Sequence, residues 1–259
     1  MGYSTPQSIG KYPVIRSLGQ GATSRVYLAY DRFRSQQVAI KVMQTALVPG
    51  DGGQQLAQRA FLTEAALAGK LQHPHIVAIH DAVSEAADNY IVMEYADGGT
   101  LEQHCRHDSL LPTDRLVELM FMAGLALNHA QQQGVIHCDI KPANLLLRKN
   151  GELKISDFGA AQYVAAAHTQ LSGVGSPLYM SPEQIEDRRL NHQTDIYSLG
   201  AVMYQLLTGR PPFQSSSREG LLYQILNVDA PPPSHSRPDL PPELDRIVMR
   251  ALAKNREER

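Results

Sequence analysis

The 259-residue chain has few of the features that mark secreted, membrane or nucleic-acid-binding proteins. Its two cysteines, Cys105 and Cys138, are too few for a disulfide framework, so a reducing cytosol is the simpler expectation. No run of about 18 apolar residues is present, and the first residues lack a charged segment followed by an apolar one, which argues against a membrane span and a signal peptide. The formal net charge of −2 does not indicate a nucleic-acid or membrane-surface binder.

Length and composition favour a folded protein with a substantial interior. The chain has 43% hydrophobic and 19% charged residues and is long enough for one large domain or two lobes. Its first third contains short runs rich in β-branched and aromatic residues, separated by glycine or charged turns, and one helical pattern. The predicted strands are Tyr12–Leu18, Arg25–Tyr30, Gln37–Met43, Val77–Val83 and Tyr90–Glu94, and the predicted helix is Gln54–Leu71.

From Thr100 onward the spacing of apolar residues is mostly helical. The predicted helices are Thr113–Gln133, Asn191–Gly209 and Leu252–Arg259, and Ala230–Pro242 is a proline-rich loop. We therefore expect a strand-rich first part, 1–95, a larger helical second part, 96–259, and a ligand cleft between two lobes. Because the last helical stretch has no capping residue, we expect the second part to continue beyond Arg259.

The stretch His137-Cys138-Asp139-Ile140-Lys141-Pro142-Ala143-Asn144 carries the clearest chemical signal. Its proline disfavours a helix, so one short loop can turn a carboxylate, an ammonium and a carboxamide toward one point. Asp139 can accept a hydroxyl proton, Lys141 can neutralise a moving phosphate, and Asn144 offers an oxygen ligand for Mg²⁺. The pattern therefore predicts phosphoryl transfer.

Further motifs suit ATP chemistry, although each alone also has a plain structural explanation. Residues 19–24 lie between two predicted strands and form either a phosphate-binding hairpin tip or an ordinary glycine turn. Lys41 lies near the end of the predicted strand Gln37–Met43 and is either a phosphate ligand or a charged residue at a strand edge. Glu64 is either the ion-pair partner of Lys41 or a glutamate on the helix surface. Asp157-Phe158-Gly159 follows a short strand and suits either a metal ligand on a movable segment or an Asx turn.

Taken in this order, the motifs resemble the catalytic domain of eukaryotic-like (Hanks-type) serine/threonine protein kinases, and the bacterial ones most of all. The resemblance runs from about Tyr12 to Arg259, nearly the whole chain. It implies the α+β, bilobal protein-kinase fold, with a small antiparallel-sheet N-lobe that has one main helix and a larger, mostly helical C-lobe.

The resemblance also implies a role for individual residues. Asp139 is similar to the catalytic base, Lys141 to the residue that steadies the γ-phosphate, and Lys41, paired with Glu64, to the lysine on the α- and β-phosphates. The implied ligands of Mg²⁺, or of Mn²⁺, are Asn144 and Asp157. The implied ATP-binding residues are Gly19, Gln20, Gly21, Ala22, Thr23, Ser24, Val26, Ala39, Lys41, Met93, Glu94, Tyr95, Ala96 and Leu146.

Three more residues are implied to be structural. Ser181-Pro182-Glu183 resembles the end of the activation segment, where the family usually has Ala-Pro-Glu, and Glu183 is expected to pair with Arg259. Asp195 resembles the aspartate that braces the catalytic loop.

Lys141, two residues after the base, and Ser176 resemble serine/threonine kinases rather than tyrosine kinases. Cys138 stands where the family usually has an arginine that binds a phosphate on the activation loop, and a thiol can supply neither the charge nor the bidentate geometry. We therefore expect a non-RD kinase whose activity depends little on loop phosphorylation, with Thr169 and Ser172 as autophosphorylation sites. Cys138 is otherwise a small filler residue or a redox sensor.

Two other functions fit parts of the pattern. A pseudokinase would keep the fold without turnover, but Lys41, Glu64, Asp139, Asn144 and Asp157 are all present. A small-molecule phosphotransferase of related fold is the other alternative, and the stretch Gly175–Glu183, which resembles a shelf for a peptide substrate, argues against it.

The expected partners are ATP and proteins that offer serine or threonine, with a dimer as one route to autophosphorylation. Neither nucleic acid nor a membrane is expected to contact this segment. The expected location is the cytoplasm, including the cytoplasmic part of a longer, membrane-anchored protein.

Overall fold

The computed structural model describes residues 5–21, 24–43, 58, 61–67, 70–84, 89–163 and 177–259. The chain forms two compact units, Met1–Ala96 and Asp97–Arg259, so the division falls one residue after the expected boundary. Several residues singled out from the sequence lie outside the described part of the chain: Ala22, Thr23, Thr169, Ser172 and Ser176.

In the described residues of the first unit, six strands form one antiparallel sheet in the order β1-β2-β3-β4-β6-β5. The strands are β1 (Ser8–Ile9), β2 (Tyr12–Gln20), β3 (Ser24–Asp31), β4 (Gln36–Met43), β5 (Ile79–Ser84) and β6 (Asn89–Glu94). All but β1 were predicted, with ends that differ by a few residues. The two residues of β1 are too few to show an alternating pattern, which explains why the sequence did not reveal it.

The two faces of this sheet have different residues because side chains alternate along each strand. One face carries a continuous apolar cluster formed by Ile9, Tyr12, Tyr27, Ala29, Val38, Ile40, Tyr90 and Val92. Lys41 lies directly across from Val26 on β3 and Ile91 on β6, so it belongs to the other face. Helix α1, described over 61–67, buries Phe61, Glu64 and Leu67, the spacing of one helical face.

The second unit is mostly helical and contains two short antiparallel strand pairs, β7 with β10 and β8 with β9. Its elements are α2 (Thr113–Gln132), β7 (Val135–Ile136), β8 (Leu145–Leu147), β9 (Leu153–Ile155), β10 (Gln162–Tyr163), α3 (Pro182–Ile185), α4 (Gln193–Thr208), α5 (Arg218–Asn227) and α6 (Pro242–Ala251). Among the described residues, no helix is both long enough and apolar enough to cross a bilayer.

Helix α4 forms the centre of the second unit. Twelve of its 16 residues are buried, as expected for a helix that is apolar on nearly all sides. Gly200 allows α6 to approach closely, because a Cβ at this position would lie 2.6 Å from the Cβ of Ala251. The helix ends at Gly209, whose left-handed φ of 74° suits glycine.

The sequence prediction was wrong at two helix ends. Leu71 lies outside α1, and Leu252–Arg259 is not a helix, because α6 ends at Ala251 and only Arg256–Glu258 forms a 3₁₀ turn. The chain instead turns after α6, and this turn lets the Arg259 side chain reach Glu183. Helices α5 and α6 were not predicted from the sequence.

Candidate active site

The catalytic loop, residues 137–144, connects β7 to β8 and brings three predicted site residues together. The Asp139 carboxylate oxygen Oδ2 accepts hydrogen bonds from Lys141 Nζ at 2.6 Å and from Asn144 Nδ2 at 3.2 Å. In the described part of the chain, the other carboxylate oxygen, Oδ1, has no hydrogen-bond partner. Asp139 therefore presents one oriented oxygen that can accept a proton from a hydroxyl group.

The backbone of the catalytic loop is held by a carboxylate of helix α4. Asp195 Oδ2 accepts from the His137 amide at 2.8 Å and Asp195 Oδ1 accepts from the Cys138 amide at 2.9 Å. Burial raises the pKa of Asp195, and the two amide hydrogen bonds oppose that rise. The predicted bracing role of Asp195 is confirmed by this geometry.

His137 is completely buried and connects the catalytic loop to the segment that follows β9. Its Nδ1 accepts a hydrogen bond from the Asp139 amide at 3.2 Å, which assigns the ring proton to Nε2. Nε2 can then donate to the Ser156 carbonyl oxygen, 3.0 Å away. The ring also packs on Phe158, with a centroid separation of 4.5 Å. His137 therefore contacts the residue before Asp157 and the residue after it.

Cys138 has two unusual properties for its position in the loop. Its φ of 66° is left-handed, a conformation that costs a non-glycine residue about 1–3 kcal/mol. Its side chain is 5% exposed and packs in an apolar cluster with Ile136, Leu190 and Ala160. The thiol therefore points into the interior of the second unit, where an arginine side chain would lack solvent.

Gln184 of helix α3 also contacts the catalytic loop, and the sequence analysis did not identify it. Its Nε2 donates to the Cys138 carbonyl oxygen at 2.8 Å. Its Oε1 accepts from the Ser181 amide at 3.0 Å, which completes a capping box at the start of α3. The capping box could have been predicted from Ser181-Pro182-Glu183-Gln184, but the bond to Cys138 could not.

Strand register brings the two predicted metal ligands to one end of the β8–β9 hairpin. Leu145 pairs with Ile155, so Asn144 and Ser156 come next on either strand, and the Asn144 carbonyl accepts from the Ser156 amide at 2.9 Å. Asp157 follows with a left-handed φ of 66°. No described residue donates a hydrogen bond to Asn144 Oδ1, which suits a ligand of Mg²⁺ beside a carboxylate.

In the first unit, Lys41 and Glu64 form the predicted ion pair. Lys41 Nζ lies 2.7 Å from Glu64 Oε2, and the two side chains are 10% and 4% exposed. A lysine in the interior needs such a partner, since an unpaired buried charge is strongly destabilising. Neither residue is therefore the surface charge that the sequence left as an alternative.

The glycine-containing hairpin between β2 and β3 is described only in part. Gly19 and Gln20 end β2, and the Gly21 amide donates to the Ser24 carbonyl at 2.8 Å. Among the described residues, a Cβ at Gly19 would have no neighbour within 4 Å, and one at Gly21 none closer than 3.6 Å. Neither glycine is thus required by packing inside the protein.

The other residues predicted to bind the nucleotide lie on or next to strands, some in the first unit and one in the second. Ala39 is directly across from Met93, and both are buried on the sheet face that carries Lys41 and Val26. Glu94 ends β6, and its amide donates to the Ala78 carbonyl at 2.8 Å. In the second unit, Leu146 lies on β8, opposite Lys154.

The predicted pairing of Glu183 with Arg259 is also present. Arg259 Nη1 donates to Glu183 Oε1 at 2.6 Å and Nη2 donates to Oε2 at 2.9 Å. Thr194 adds a hydroxyl hydrogen bond to Oε1 at 2.9 Å. This pair anchors the start of α3, and the next residue, Gln184, contacts the catalytic loop.

An antiparallel first unit with a buried Lys–Glu pair and a helical second unit with a braced Asp-x-Lys loop together define the protein-kinase class. The family model of the protein kinase domain matches residues 12–259, and the chain belongs to this family. The predicted fold class, the two-lobed protein-kinase fold, is confirmed.

Curated relatives of the chain include bacterial serine/threonine kinases. Serine/threonine-protein kinase PknB of Mycolicibacterium smegmatis is 40% identical over 99% of this chain and 42% of its own length. PknB of Mycobacterium tuberculosis H37Rv is 38% identical over 99% of this chain and 42% of its own length. A probable PknB of Bifidobacterium longum is 34% identical over 100% of this chain and 39% of its own length. The chain thus spans about two fifths of the length of these relatives.

Proposed function

We propose that the chain is a serine/threonine protein kinase, which transfers the γ-phosphoryl group of ATP to hydroxyl groups of protein substrates. The observation that carries the proposal is the Asp139 carboxylate, held by Lys141 and Asn144 in a loop whose backbone is braced by Asp195. Asn144 and Asp195 are buried polar residues, which are costly unless their hydrogen bonds are satisfied, and a binding module has no need to orient a carboxylate in this way.

The proposed reaction is an in-line displacement at the γ-phosphorus. The substrate hydroxyl oxygen forms the new P–O bond, the bond to the β–γ bridging oxygen breaks, and ADP leaves with that oxygen. Asp139 Oδ1 orients the hydroxyl and takes its proton, while Lys141 stays close to Asp139 and offsets charge on the γ-phosphate. Lys41, oriented by Glu64, serves the α- and β-phosphates.

Asn144 and Asp157 would hold the Mg²⁺ that this chemistry requires, and Mn²⁺ has the same preference for oxygen ligands. When bound, the ion supplies positive charge to the phosphate oxygens of ATP. Asp157 has a left-handed backbone, so the chain leaves the extended conformation of β9 at this residue. The Asn144 amide nitrogen already donates to Asp139, which leaves its oxygen for the metal ion.

The nucleotide-binding role of the glycine hairpin is supported by the lack of tight packing at Gly19 and Gly21 among the described residues. Glycines that packing does not require are suited to close approach of phosphates to backbone amides. Residues Val26, Ala39, Met93 and Leu146 are proposed to give the adenine ring its apolar surroundings, and the backbone of Glu94 to Ala96 its hydrogen bonds.

Specificity for serine and threonine is proposed from Lys141 and from the names of the relatives, which are serine/threonine-protein kinases. The test is to incubate the 259-residue chain with γ-labelled ATP, Mg²⁺ and a mixture of unrelated proteins, followed by phosphoamino-acid analysis. Phosphoserine and phosphothreonine are expected, and Asp139→Asn should remove nearly all incorporation. Mainly phosphotyrosine would contradict the specificity, and full activity of Asp139→Asn would contradict the catalytic role.

We also propose that activity depends little on phosphorylation of the activation loop. Cys138 has a thiol where the family usually has a cation, and its side chain packs in the apolar cluster with Ile136 and Leu190. It therefore offers no positive charge to a phosphate on the activation loop. Replacement of Thr169 and Ser172 together by alanine should therefore leave most of the turnover. Loss of most of it would show that another cation performs the role of the usual arginine.

Autophosphorylation between two copies of the chain is proposed as a second activity. Its rate per molecule should rise with protein concentration if a dimer or collision complex carries it, and should be independent of concentration otherwise. We place this segment in the cytoplasm, where ATP is available and where its two buried cysteines, Cys105 and Cys138, stay reduced.

A further inference from the structure

Gln184 joins the start of helix α3 to the backbone of the catalytic loop. It is 7% exposed, and both ends of its amide are engaged. Oε1 faces the Ser181 amide, which can only donate, and Nε2 faces the Cys138 carbonyl, which can only accept. The neighbours therefore determine the orientation of the amide group. A flipped amide would place its NH₂ group against the Ser181 N–H and its oxygen against the Cys138 carbonyl oxygen.

The carbonyl that Gln184 binds belongs to the peptide group between Cys138 and Asp139. The N–H of the same peptide group donates to His137 Nδ1 at 3.2 Å, so both polar atoms of the peptide are held. The orientation of this peptide plane sets the direction in which the Asp139 side chain leaves the backbone. Asp195 holds only the two preceding amides, those of His137 and Cys138.

The backbone at Cys138 needs this restraint because it is left-handed, with a φ of 66°. A non-glycine residue stays in that region only when its surroundings hold it there. Asp195 holds the peptide group before Cys138 and Gln184 holds the one after it. Without Gln184, only the hydrogen bond to His137 restrains the second peptide group, so this group can rotate more readily and turn Asp139 with it.

We infer that Gln184 is a positioning residue for Asp139, which makes catalytic geometry depend on the α3 segment. The inference rests on the proposed function, in which Asp139 orients the substrate hydroxyl. Gln184 directly follows the stretch 175–183, which resembles a shelf for a peptide substrate and ends within α3. Gln184 thereby connects that stretch to the reacting carboxylate through one buried side chain.

A simpler role for Gln184 would be the cap of α3 alone, and two variants separate the roles. Gln184→Glu keeps an oxygen that can accept from Ser181, but it has no N–H for the Cys138 carbonyl and places a negative charge against it. Gln184→Met has a similar length and removes both bonds. If the cap were the whole role, Gln184→Glu would behave like the unchanged protein.

Gln193 provides a matched control for the same chemical change. Its Nε2 donates to the Arg256 carbonyl at 2.7 Å, which is also an amide-to-carbonyl bond in the second unit, but outside the catalytic loop. Gln193→Glu should therefore lower the melting temperature at most, with the kcat unchanged.

The test measures kcat, the KM for ATP and hydrogen exchange of the 135–141 backbone in the 259-residue chain. For Gln184→Glu and Gln184→Met, we expect about a tenfold lower kcat, a KM for ATP within about twofold, and faster exchange of 135–141. Gln193→Glu should show neither change. Equal kcat losses in Gln184→Glu and Gln193→Glu, in proportion to lost stability, would overturn the positioning role.

Failure of the inference and failure of the proposed function give different results. If the unchanged chain performs no Asp139-dependent transfer, the proposed function is wrong. If transfer is normal and both kcat and the exchange of 135–141 are unchanged in Gln184→Glu, only the role of Gln184 is wrong.

Discussion

Arg259 donates hydrogen bonds to both carboxylate oxygens of Glu183, 76 positions earlier in the chain. The two side chains are 0% and 5% exposed, so this is a buried ion pair with bidentate geometry. Arg259 also donates to the carbonyls of Ala253, Lys254 and Gln193. One guanidinium thus ties the segment after α6 to the starts of α3 and α4.

The first prediction concerns the stability that this pair supplies. Arg259→Met leaves the Glu183 carboxylate buried without its cation, so the free energy of unfolding should fall by about 3–5 kcal/mol. Urea denaturation followed by circular dichroism measures this change. The exposed pair Arg188–Glu186 is the control, and Arg188→Met should cost less than about 1 kcal/mol. Similar losses in the two variants would show that burial does not determine the difference.

The second prediction is the pH dependence of the same interaction. Burial acts to raise the pKa of Glu183, but the hydrogen bonds and charge of Arg259 outweigh it and hold that pKa below its ordinary value of 4.5. A carboxyl with a lowered folded-state pKa stabilises the protein above the unfolded-state pKa, and this contribution is lost as the pH falls through the folded-state value.

The stability difference between the unchanged chain and Glu183→Gln should accordingly be constant near neutral pH and shrink below about pH 4.5. Urea unfolding at a series of pH values from neutral to acid provides the measurement. A difference that stays the same over this range would mean that Glu183 has the same pKa in the folded and the unfolded protein.

The third prediction concerns the Lys41–Glu64 pair. Lys41→Met removes a cation proposed for the ATP phosphates, so kcat/KM should fall by about 100-fold or more. Glu64→Gln keeps a neutral acceptor for Lys41 Nζ and should cause a smaller loss. Steady-state phosphate transfer well below the melting temperature measures both. Lys149→Met, at an exposed lysine, is the control, and an equal loss there would exclude a specific role for Lys41.

Much of the site could be predicted because its residues occur in recognisable motifs. Glu64 was paired with Lys41 because it lies in the middle of a predicted helix, and Glu183 was paired with Arg259 from the resemblance to the kinase family. Both pairs are present. The strands of the first unit were predicted for a different reason: they are short runs rich in β-branched and aromatic residues, separated by glycine or charged turns.

The rest could not be predicted because it depends on contacts between distant parts of the chain. The left-handed backbone of Cys138 is held by Asp195, 57 positions away, and no local pattern encodes it.

Helices α5 and α6 were missed because few of their apolar residues are buried. Helix α5 buries only Leu221 and Ile225, and α6 only Leu244 and Val248. Two apolar residues four positions apart are too few to distinguish a helix from a loop.

The fourth prediction tests the carboxylate that braces the catalytic loop. Asp195 accepts from two backbone amides, whereas an asparagine has one acceptor oxygen and would turn an NH₂ group toward the other amide. Asp195→Asn leaves that buried amide unsatisfied, at a cost of about 1–3 kcal/mol. The left-handed conformation of Cys138 loses one of its restraints, so kcat should fall by about tenfold or more, beyond what partial unfolding explains.

Asp187→Asn makes the same substitution at an exposed residue that is also left-handed, with a φ of 53°. It should change the stability by less than about 0.5 kcal/mol and leave kcat unaltered, because asparagine adopts this conformation readily. The decisive measurement is kcat for Asp195→Asn at a temperature where melting curves show the variant to be folded. Full turnover there would mean that the orientation of Asp139 does not depend on the Asp195 carboxylate, and that His137 and Gln184 suffice to hold the loop.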